Sequence, residues 1–505
     1  MLKTTPREYQ LKIFETAKEK NTLVVLPTGV GKTLIAILLA VERLKKFPGQ
    51  RVLFLAPTKP LVEQHYESFQ KSLPDLFAEL SIFTGEVHAS ERKELWDGAD
   101  IIFSTPQCIA NDLKKQLYSL SDVCLLVIDE AHRCLKNYDY TTVVEIYKRQ
   151  SENQRILGLT ASPGSEADTV RQICKHLDTE AVEVRTRDSE DVKPYLQERE
   201  YDKHEVPFPN DFQEIRILLK RIYDSKVDQL RSRSLLFGPA NKITLLKLQK
   251  NLAQRSGDFN AMIGMSLTAQ AIKIQHALEL LETQTLYGLR EYLLSLMKQA
   301  EEKKSKGVQT LVKSPEFNAA FISLTQLTAE KREHPKVHEA IAIVEDEVNL
   351  NPNAKVIIFT QFRDTASVLS EEMRKNPLLK PEIFVGQAKK GDTGLSQKKQ
   401  KEVIERFKSG ESNVLCATSI GEEGLDIPEV NAVIFYEPVP SAIRKIQRAG
   451  RTARLAPGKL IILITKGTRD ETYHYTSTAK EKKMYRTIDL VKKQINNKSS
   501  LNRYL

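Results

Sequence analysis

The chain has 505 residues, 41% hydrophobic and 28% charged, with a formal net charge of +10, which is the make-up of a globular chain long enough for about three domains. A small disulfide-stapled or disordered protein is excluded, and the longest apolar runs, such as Thr33 to Val41, are too short to span a bilayer. The charge is uneven: residues 211–320 hold 17 Lys/Arg against 11 Asp/Glu, and residues 480–505 hold eight against two, so a bound polyanion would be drawn mainly to those segments.

Met1 to Gln10 is polar and carries Pro6, Arg7 and Glu8, so it lacks the apolar core of a secretory signal and a cytoplasmic location is expected. From residue 22 to 185, apolar runs at 23–26, 52–55, 101–103, 125–128 and 156–159 alternate with helical stretches. Near-continuous apolar strands between helices predict a parallel sheet covered on both faces. The first strand runs into Pro27-Thr28-Gly29-Val30-Gly31, and Lys32-Thr33 open an apolar helix. Such a turn lets backbone N–H groups at Thr28, Gly29 and Gly31 close around the phosphates of ATP at a helix N-terminus. Lys32 would reach the outer phosphates and Thr33 would ligate Mg²⁺. Leu26 stands where the common phosphate-loop pattern has its first glycine.

The fourth strand ends in Asp129-Glu130-Ala131-His132, at the carboxyl edge where parallel sheets bind ligands. Asp129 is placed to hold Mg²⁺ through water, and Glu130 to orient and deprotonate an attacking water. Paired carboxylates there are costly unless a cation neutralises them. Cys108, Cys124, Cys134, Cys174 and Cys416 include no Cys-x-x-Cys pair and read as reduced core thiols.

Between Asn241 and Ser314 there is no proline; Ile274, Leu278 and Leu281, and Leu286, Leu289, Leu293 and Leu296, step by three and four. This predicts long amphipathic helices, an inserted domain edged by Pro207 and Pro209 on one side and Pro315 and Pro335 on the other. After residue 354 the strand rhythm returns at 356–359, 383–385, 414–416, 433–435 and 460–463. The run Gln447-Arg448-Ala449-Gly450-Arg451-Thr452-Ala453-Arg454 spaces three arginines by three. Arg451 and Arg454 can stabilise charge on a transferring phosphoryl group only if the two α/β units meet around ATP.

Taken together, these residues resemble a superfamily 2 helicase over roughly residues 1–200 and 331–480. The resemblance implies that Arg7 and Gln10, in Arg7-Glu8-Tyr9-Gln10, read adenine. It implies that Lys59 (in Ala56-Pro57-Thr58-Lys59-Pro60-Leu61), Thr84 and Gly85 (before Glu86), and Thr105 and Pro106 (after Ser104) track a nucleic-acid strand. Thr160 and Ser162, with His132, would couple the nucleotide site to the strand. In the second unit, Gln361 and Arg363 (in Phe359-Thr360-Gln361-Phe362-Arg363) and Thr418 would continue the track. Gly424 and Asp426 (in the run Ala417 to Pro428) and Gln447 would contact the nucleotide.

The long insert, the Asp-Glu-Ala-His spelling and Lys466-Gly467-Thr468-Arg469-Asp470-Glu471 resemble the archaeal Hef helicase and its FANCM relatives, which remodel branched DNA. Dicer and the RIG-I-like RNA sensors share the plan. Ala453 precedes Arg454 where Hef has glycine. Glu91-Arg92-Lys93-Glu94-Leu95-Trp96-Asp97 matches the nuclease motif of full-length Hef, but no Gly-Asp lies upstream of it, so it reads as a chance match on a surface helix, in a chain with no room for a nuclease domain.

The expected architecture is α/β: two RecA-like parallel-sheet lobes at 1–202 and 331–480, an all-α insert at 203–330 and a basic helical tail at 481–505. The expected function is an ATP-dependent, Mg²⁺-using translocase on branched or duplex DNA, with no membrane partner and a protein partner conceivable at the insert or tail. Its alternatives are an enzyme acting on RNA, a module using ATP only as a structural ligand, and an insert that is a protein-docking arm.

Overall fold

Strands form where the apolar runs are continuous, and their order decides which loops become neighbours. The computed structural model describes residues 3–135, 138–255, 257–386, 394–418, 427–452 and 457–501, apart from the side chains of 442 and 496–501. The first sheet contains β1 (Thr22–Val25), β2 (Arg51–Leu55), β3 (Leu80–Phe83), β4 (Ile101–Ser104), β5 (Val123–Ile128), β6 (Ile156–Thr160) and β7 (Ala181–Val184). They are all parallel, in the order β3-β4-β2-β5-β6-β1-β7. Every residue of β5 is buried, as helices covering both faces require.

The second sheet has the order β10-β11-β9-β12-β13-β8, with β8 (Arg199–Val206), β9 (Val356–Phe359), β10 (Pro381–Phe384), β11 (Val414–Ala417), β12 (Ala432–Phe435) and β13 (Gly458–Thr465). Its strands too are parallel. The expected border between 202 and 203 falls inside β8, which pairs with β13 from Arg199 to Val206. The chain has therefore crossed to the second sheet before the insert begins.

Among the described residues six helices build the insert: Gln213–Ser232, Lys242–Ala253, Phe259–Thr283, Leu286–Glu301, Lys306–Val312 and Pro315–Ala329. The leucine and isoleucine steps point into their common core, where Ile274, Leu278, Leu281, Leu286, Leu289, Leu293 and Leu296 are buried. Asp258 and Thr285 cap two of these helices with side-chain oxygens. Pro315 opens the last bundle helix, at the position where proline is tolerated, and Pro335 opens a helix of the second lobe.

The basic tail is not a separate element. One 33-residue helix, Arg469–Leu501, leaves β13 in the second lobe and lies against the first. Met484, Ile488 and Val491, spaced by four and three, are buried in the first lobe's core. Lys483 pairs with Glu166 and Lys445 with Glu481 along its length. Among the described residues no helix is long and apolar enough to cross a membrane.

Candidate nucleotide and strand site

The strand order sorts the motifs along one edge of the first sheet. The phosphate loop follows β1, Thr160 ends β6 and Asp129 follows β5, and these three strands are adjacent. The segments expected to track a strand follow β2, β4 and β3, on the other half of the same edge. A parallel sheet presents its carboxyl ends together, so each group converges without further design.

In the phosphate loop Gly29 and Gly31 have φ of +85° and +76°, which glycine adopts without the strain of a Cβ. A Cβ on Gly31 would lie 2.6 Å from Gln10 Nε2. Gln10 is almost wholly buried and donates from Nε2 to the carbonyls of Val30 at 3.3 Å and Gly31 at 3.1 Å, while its Oε1 accepts from Arg7 N–H at 2.8 Å. Tyr9 O–H also donates to Val30 O. Expected as an adenine reader, Gln10 here also clamps the loop from behind. Arg7 lies beside it, its guanidinium 5.0 Å from the centre of the Tyr195 ring.

Lys32 opens its helix and folds back, its Nζ 3.4 Å from Leu26 O. Thr33 Oγ1 lies 3.4 Å from His65 Nδ1, and His65 Nε2 lies 2.8 Å from Asp129 Oδ2. Burial pushes the Asp129 carboxyl up, but the contact with His65 and the charge of Lys32 outweigh it and hold it below its ordinary value. Tyr140 O–H donates to the Asp129 carbonyl at 2.7 Å and fixes the strand end.

Glu130 is a non-glycine residue in left-handed conformation, φ 47° and ψ 49°. This turn departs from the strand direction and is the kind of strain that gathers at functional sites. Its Oε2 lies 3.2 Å from His132 Nδ1, yet among the described residues no hydrogen bond satisfies that buried oxygen. His132 Nδ1 is also 3.2 Å from Thr160 Oγ1, which accepts from Ser162 N–H at 3.1 Å. Ser162 Oγ in turn lies 2.8 Å from Met484 Sδ on the closing helix. The three residues expected to couple sites are thus contiguous, and the chain of contacts ends on an element that starts in the other lobe.

The second lobe meets the phosphate loop at Gly450, where a Cβ would lie 2.5 Å from Thr28 Cβ. Gln447 and Arg448 sit on the helix Ala442–Ala449 and Arg451 just beyond it; all three are buried. Arg448 lies over the rings of Phe359 at 5.1 Å and Phe435 at 5.9 Å, inside its own lobe. Arg454, Gly424 and Asp426 lie outside the described residues.

Of the tracking residues, Lys59 opens the helix Lys59–Ser72 and is paired with Glu63 and Glu86. Gly85 and Gln361 are exposed, and Thr84 and Thr418 are buried at their strand ends. Thr105 precedes a helix whose first residue is Pro106, with no capping hydrogen bond from its side chain. Arg363 opens another and donates to Gly386 O at 2.9 Å. Arg92, in the stretch resembling a nuclease motif, is buried rather than on the surface. It forks onto Asp112 at 2.7 and 2.5 Å and donates to the carbonyls of Thr84 and Val87, holding the Thr84-Gly85-Glu86 loop.

Sequence reasoning missed His65, Tyr195, Arg92 and the closing-helix contact. A histidine buried on the face shared with Val62 and Phe69 carried the only local signal, and periodicity reads that face as core.

Residues 7–170 match the family model described as DEAD/DEAH box helicase, residues 339–456 that of the helicase conserved C-terminal domain, and residues 211–331 that described as "Putative ATP-dependent RNA helicase, helical bundle". The helicase domain of Hef from Pyrococcus furiosus is 41% identical in sequence and superposes with a TM-score of 0.71, over 94% of this chain and 98% of that one. The "Putative ATP-dependent RNA helicase MJ1505" of Methanocaldococcus jannaschii is 38% identical over 95% of this chain and 60% of its own length. The ATP-dependent DNA helicase mph1 of Aspergillus niger is 31% identical over 92% of this chain and 44% of its own. The chain thus spans about half the length of the curated relatives it matches.

Proposed function

Because the chain belongs to the DEAD/DEAH-box helicases of the Hef group, and is an ATP-hydrolysing helicase of that family, we propose that it couples hydrolysis at the seam between its lobes to movement on branched or fork-structured DNA. In this reading Gly29, Gly31 and Lys32 take the phosphates, Arg7 and Gln10 the adenine, and Gln447, Gly424 and Asp426 further parts of the nucleotide. Glu130 orients the attacking water and accepts its proton, and its unsatisfied buried oxygen suits that task. Arg451 and Arg454 stabilise charge on the phosphoryl group when the lobes close.

The donor set beside the phosphate loop fits Mg²⁺: a hydroxyl, Thr33, and one buried carboxylate, Asp129, are hard oxygen ligands. Among the described residues no three His, Cys, Asp or Glu could cage a metal alone, and a cation shared with nucleotide phosphates needs no such cage. When bound, Mg²⁺ neutralises charge on the phosphate oxygens.

The observation that carries the substrate reading is the position of the insert. Phe362, between the expected strand contacts Gln361 and Arg363, packs against the core of this basic bundle, 5.6 Å from the His276 ring. A duplex arm leaving that part of the track would meet the bundle, whose Lys247 and Lys250 are exposed. The second reading, an RNA enzyme, is favoured by the names of the bundle model and of the archaeal relative. ATPase measured with single-stranded DNA, duplex, fork and RNA in parallel separates them. Fork DNA is expected to stimulate most at the lowest concentration, and equal or stronger stimulation by RNA would overturn the proposal.

A further inference from the structure

His65 touches both of the residues assigned to the metal, although no motif points to it. It lies on the helix that begins at Lys59, on its buried side, and Phe54 holds the imidazole from the sheet with ring centres 4.5 Å apart. A histidine that merely filled the core would need one partner for one nitrogen. His65 instead uses both, on two different elements: Nε2 is 2.8 Å from Asp129 Oδ2, just past a strand, and Nδ1 is 3.4 Å from Thr33 Oγ1, in the first turn of a helix.

For a neutral imidazole, the chemistry of the partners fixes the directions of these hydrogen bonds. An ionised carboxylate only accepts, so Nε2 carries the hydrogen and donates to Asp129. In that tautomer Nδ1 is an acceptor, and the Thr33 hydroxyl donates to it. The consequence falls on the lone pairs. With its hydrogen turned to His65, Thr33 Oγ1 presents lone pairs to the phosphate side, and Asp129 keeps its second oxygen for the same direction.

We propose that His65 is a positioning residue of the Mg²⁺–nucleotide site, orienting the Thr33 hydroxyl and the Asp129 carboxylate so that both offer lone pairs to one divalent cation. This rests on the reading of Thr33 and Asp129 as the metal side of the nucleotide site. It also gives the helix that opens with Lys59 two duties, the strand at its first residue and the metal at its middle.

The test is the divalent-ion requirement for binding a fluorescent ATP analogue, measured in the full chain without hydrolysis, alongside binding in EDTA. His65→Leu keeps apolar volume and removes both hydrogen bonds; His65→Gln carries a donor and an acceptor on one amide, closer together than the two ring nitrogens, and is the conservative variant; Asp129→Asn is the control for the metal reading. Outer-shell partners of metal ligands typically contribute 10- to 100-fold in affinity. His65→Leu is therefore expected to raise the half-saturating Mg²⁺ concentration about 10-fold or more, with binding in EDTA unchanged and His65→Gln intermediate. A wild-type Mg²⁺ requirement in His65→Leu, with a raised one in Asp129→Asn, overturns the inference alone. A wild-type requirement in Asp129→Asn overturns the metal reading beneath it. If His65→Leu does not fold, His65→Phe decides, since it keeps a ring beside Phe54 and removes both hydrogen bonds: it must raise the requirement several-fold, and a wild-type value refutes the role.

Discussion

Lys32 and Glu130 follow β1 and β5 at the same edge of the first sheet and are expected to fail in different ways when changed. Lys32→Ala removes the cation proposed to reach the phosphates, so nucleotide binding and hydrolysis are both expected to collapse. Glu130→Gln keeps the shape of the left-handed turn and removes the proton acceptor, so ATP should still bind while turnover falls by about 10²-fold or more. Equilibrium binding and steady-state ATPase of the two variants check this, and wild-type turnover in Glu130→Gln would contradict the role given to that carboxylate. These residues were legible in the sequence because a strand, a tight turn and a helix N-terminus are local. Arg7 and Gln10 could be picked out only by resemblance, since their partners, Tyr195 and the loop carbonyls, are brought to them by the fold. His65 was not legible at all, because its partners lie 32 and 64 residues away in the chain.

At the scale of elements, the bundle is fastened to the second lobe by a buried polar seam. Gln284, at the break between two bundle helices, donates to Glu437 Oε2 at 3.1 Å and accepts from Thr365 Oγ1 at 2.8 Å. Thr360 donates to the same Glu437 oxygen at 3.2 Å. Burial pushes the Glu437 carboxyl from 4.5 up to about 7, against the opposing charges of Arg448 and Lys336. An acid whose pKa is raised on folding contributes stability that is complete below about pH 4.5 and is lost as pH rises through 7. At one pKa unit per 1.36 kcal/mol, the loss is roughly 3 kcal/mol. Glu437→Gln should remove this part of the pH dependence, so denaturant unfolding between pH 5 and pH 8 is expected to show a flatter profile than wild type. Superimposable profiles would contradict it.

The same scale explains what the strand reading lost. The runs without a predicted strand, β3, β7 and β8, are all sheet edges. An edge strand is half exposed and carries charge, as in the sequence Arg199 to Val206, where only Val206 is fully buried. β10, the remaining edge, is found because Ile383-Phe384-Val385 is apolar, so the signal follows the apolar run and is weakest where an edge carries charge.

At the scale of the molecule, the closing helix ties the lobes together: it begins beside Asp470, whose carboxylate is buried against Lys336 at 2.8 Å, and ends in the first lobe's core. Ser162 touches it at Met484, so a change at Glu130, His132 and Thr160 has a physical route to the second lobe. The bundle contributes the charge. Lys242 is unsuited to a test of that charge, because with His276 it outweighs the burial of Glu279 and holds that carboxyl down to about 2. Lys247 and Lys250 carry no such duty. Replacing both with glutamine should leave ATPase without nucleic acid intact, weaken fork more than single-strand binding, and flatten the salt slope by about two, at about 0.9 per phosphate contact. Unchanged fork affinity and slope would make the bundle a docking or purely structural arm.

The central claim is that hydrolysis at the lobe seam drives movement on a branched substrate. Its most direct test is strand displacement from a labelled fork, followed together with ATP turnover, in wild type and in Glu130→Gln. The account predicts that wild type displaces the strand in step with ATP consumed, and that Glu130→Gln binds both fork and ATP but displaces nothing. Displacement by Glu130→Gln at the wild-type rate, or by wild type without ATP, would contradict it.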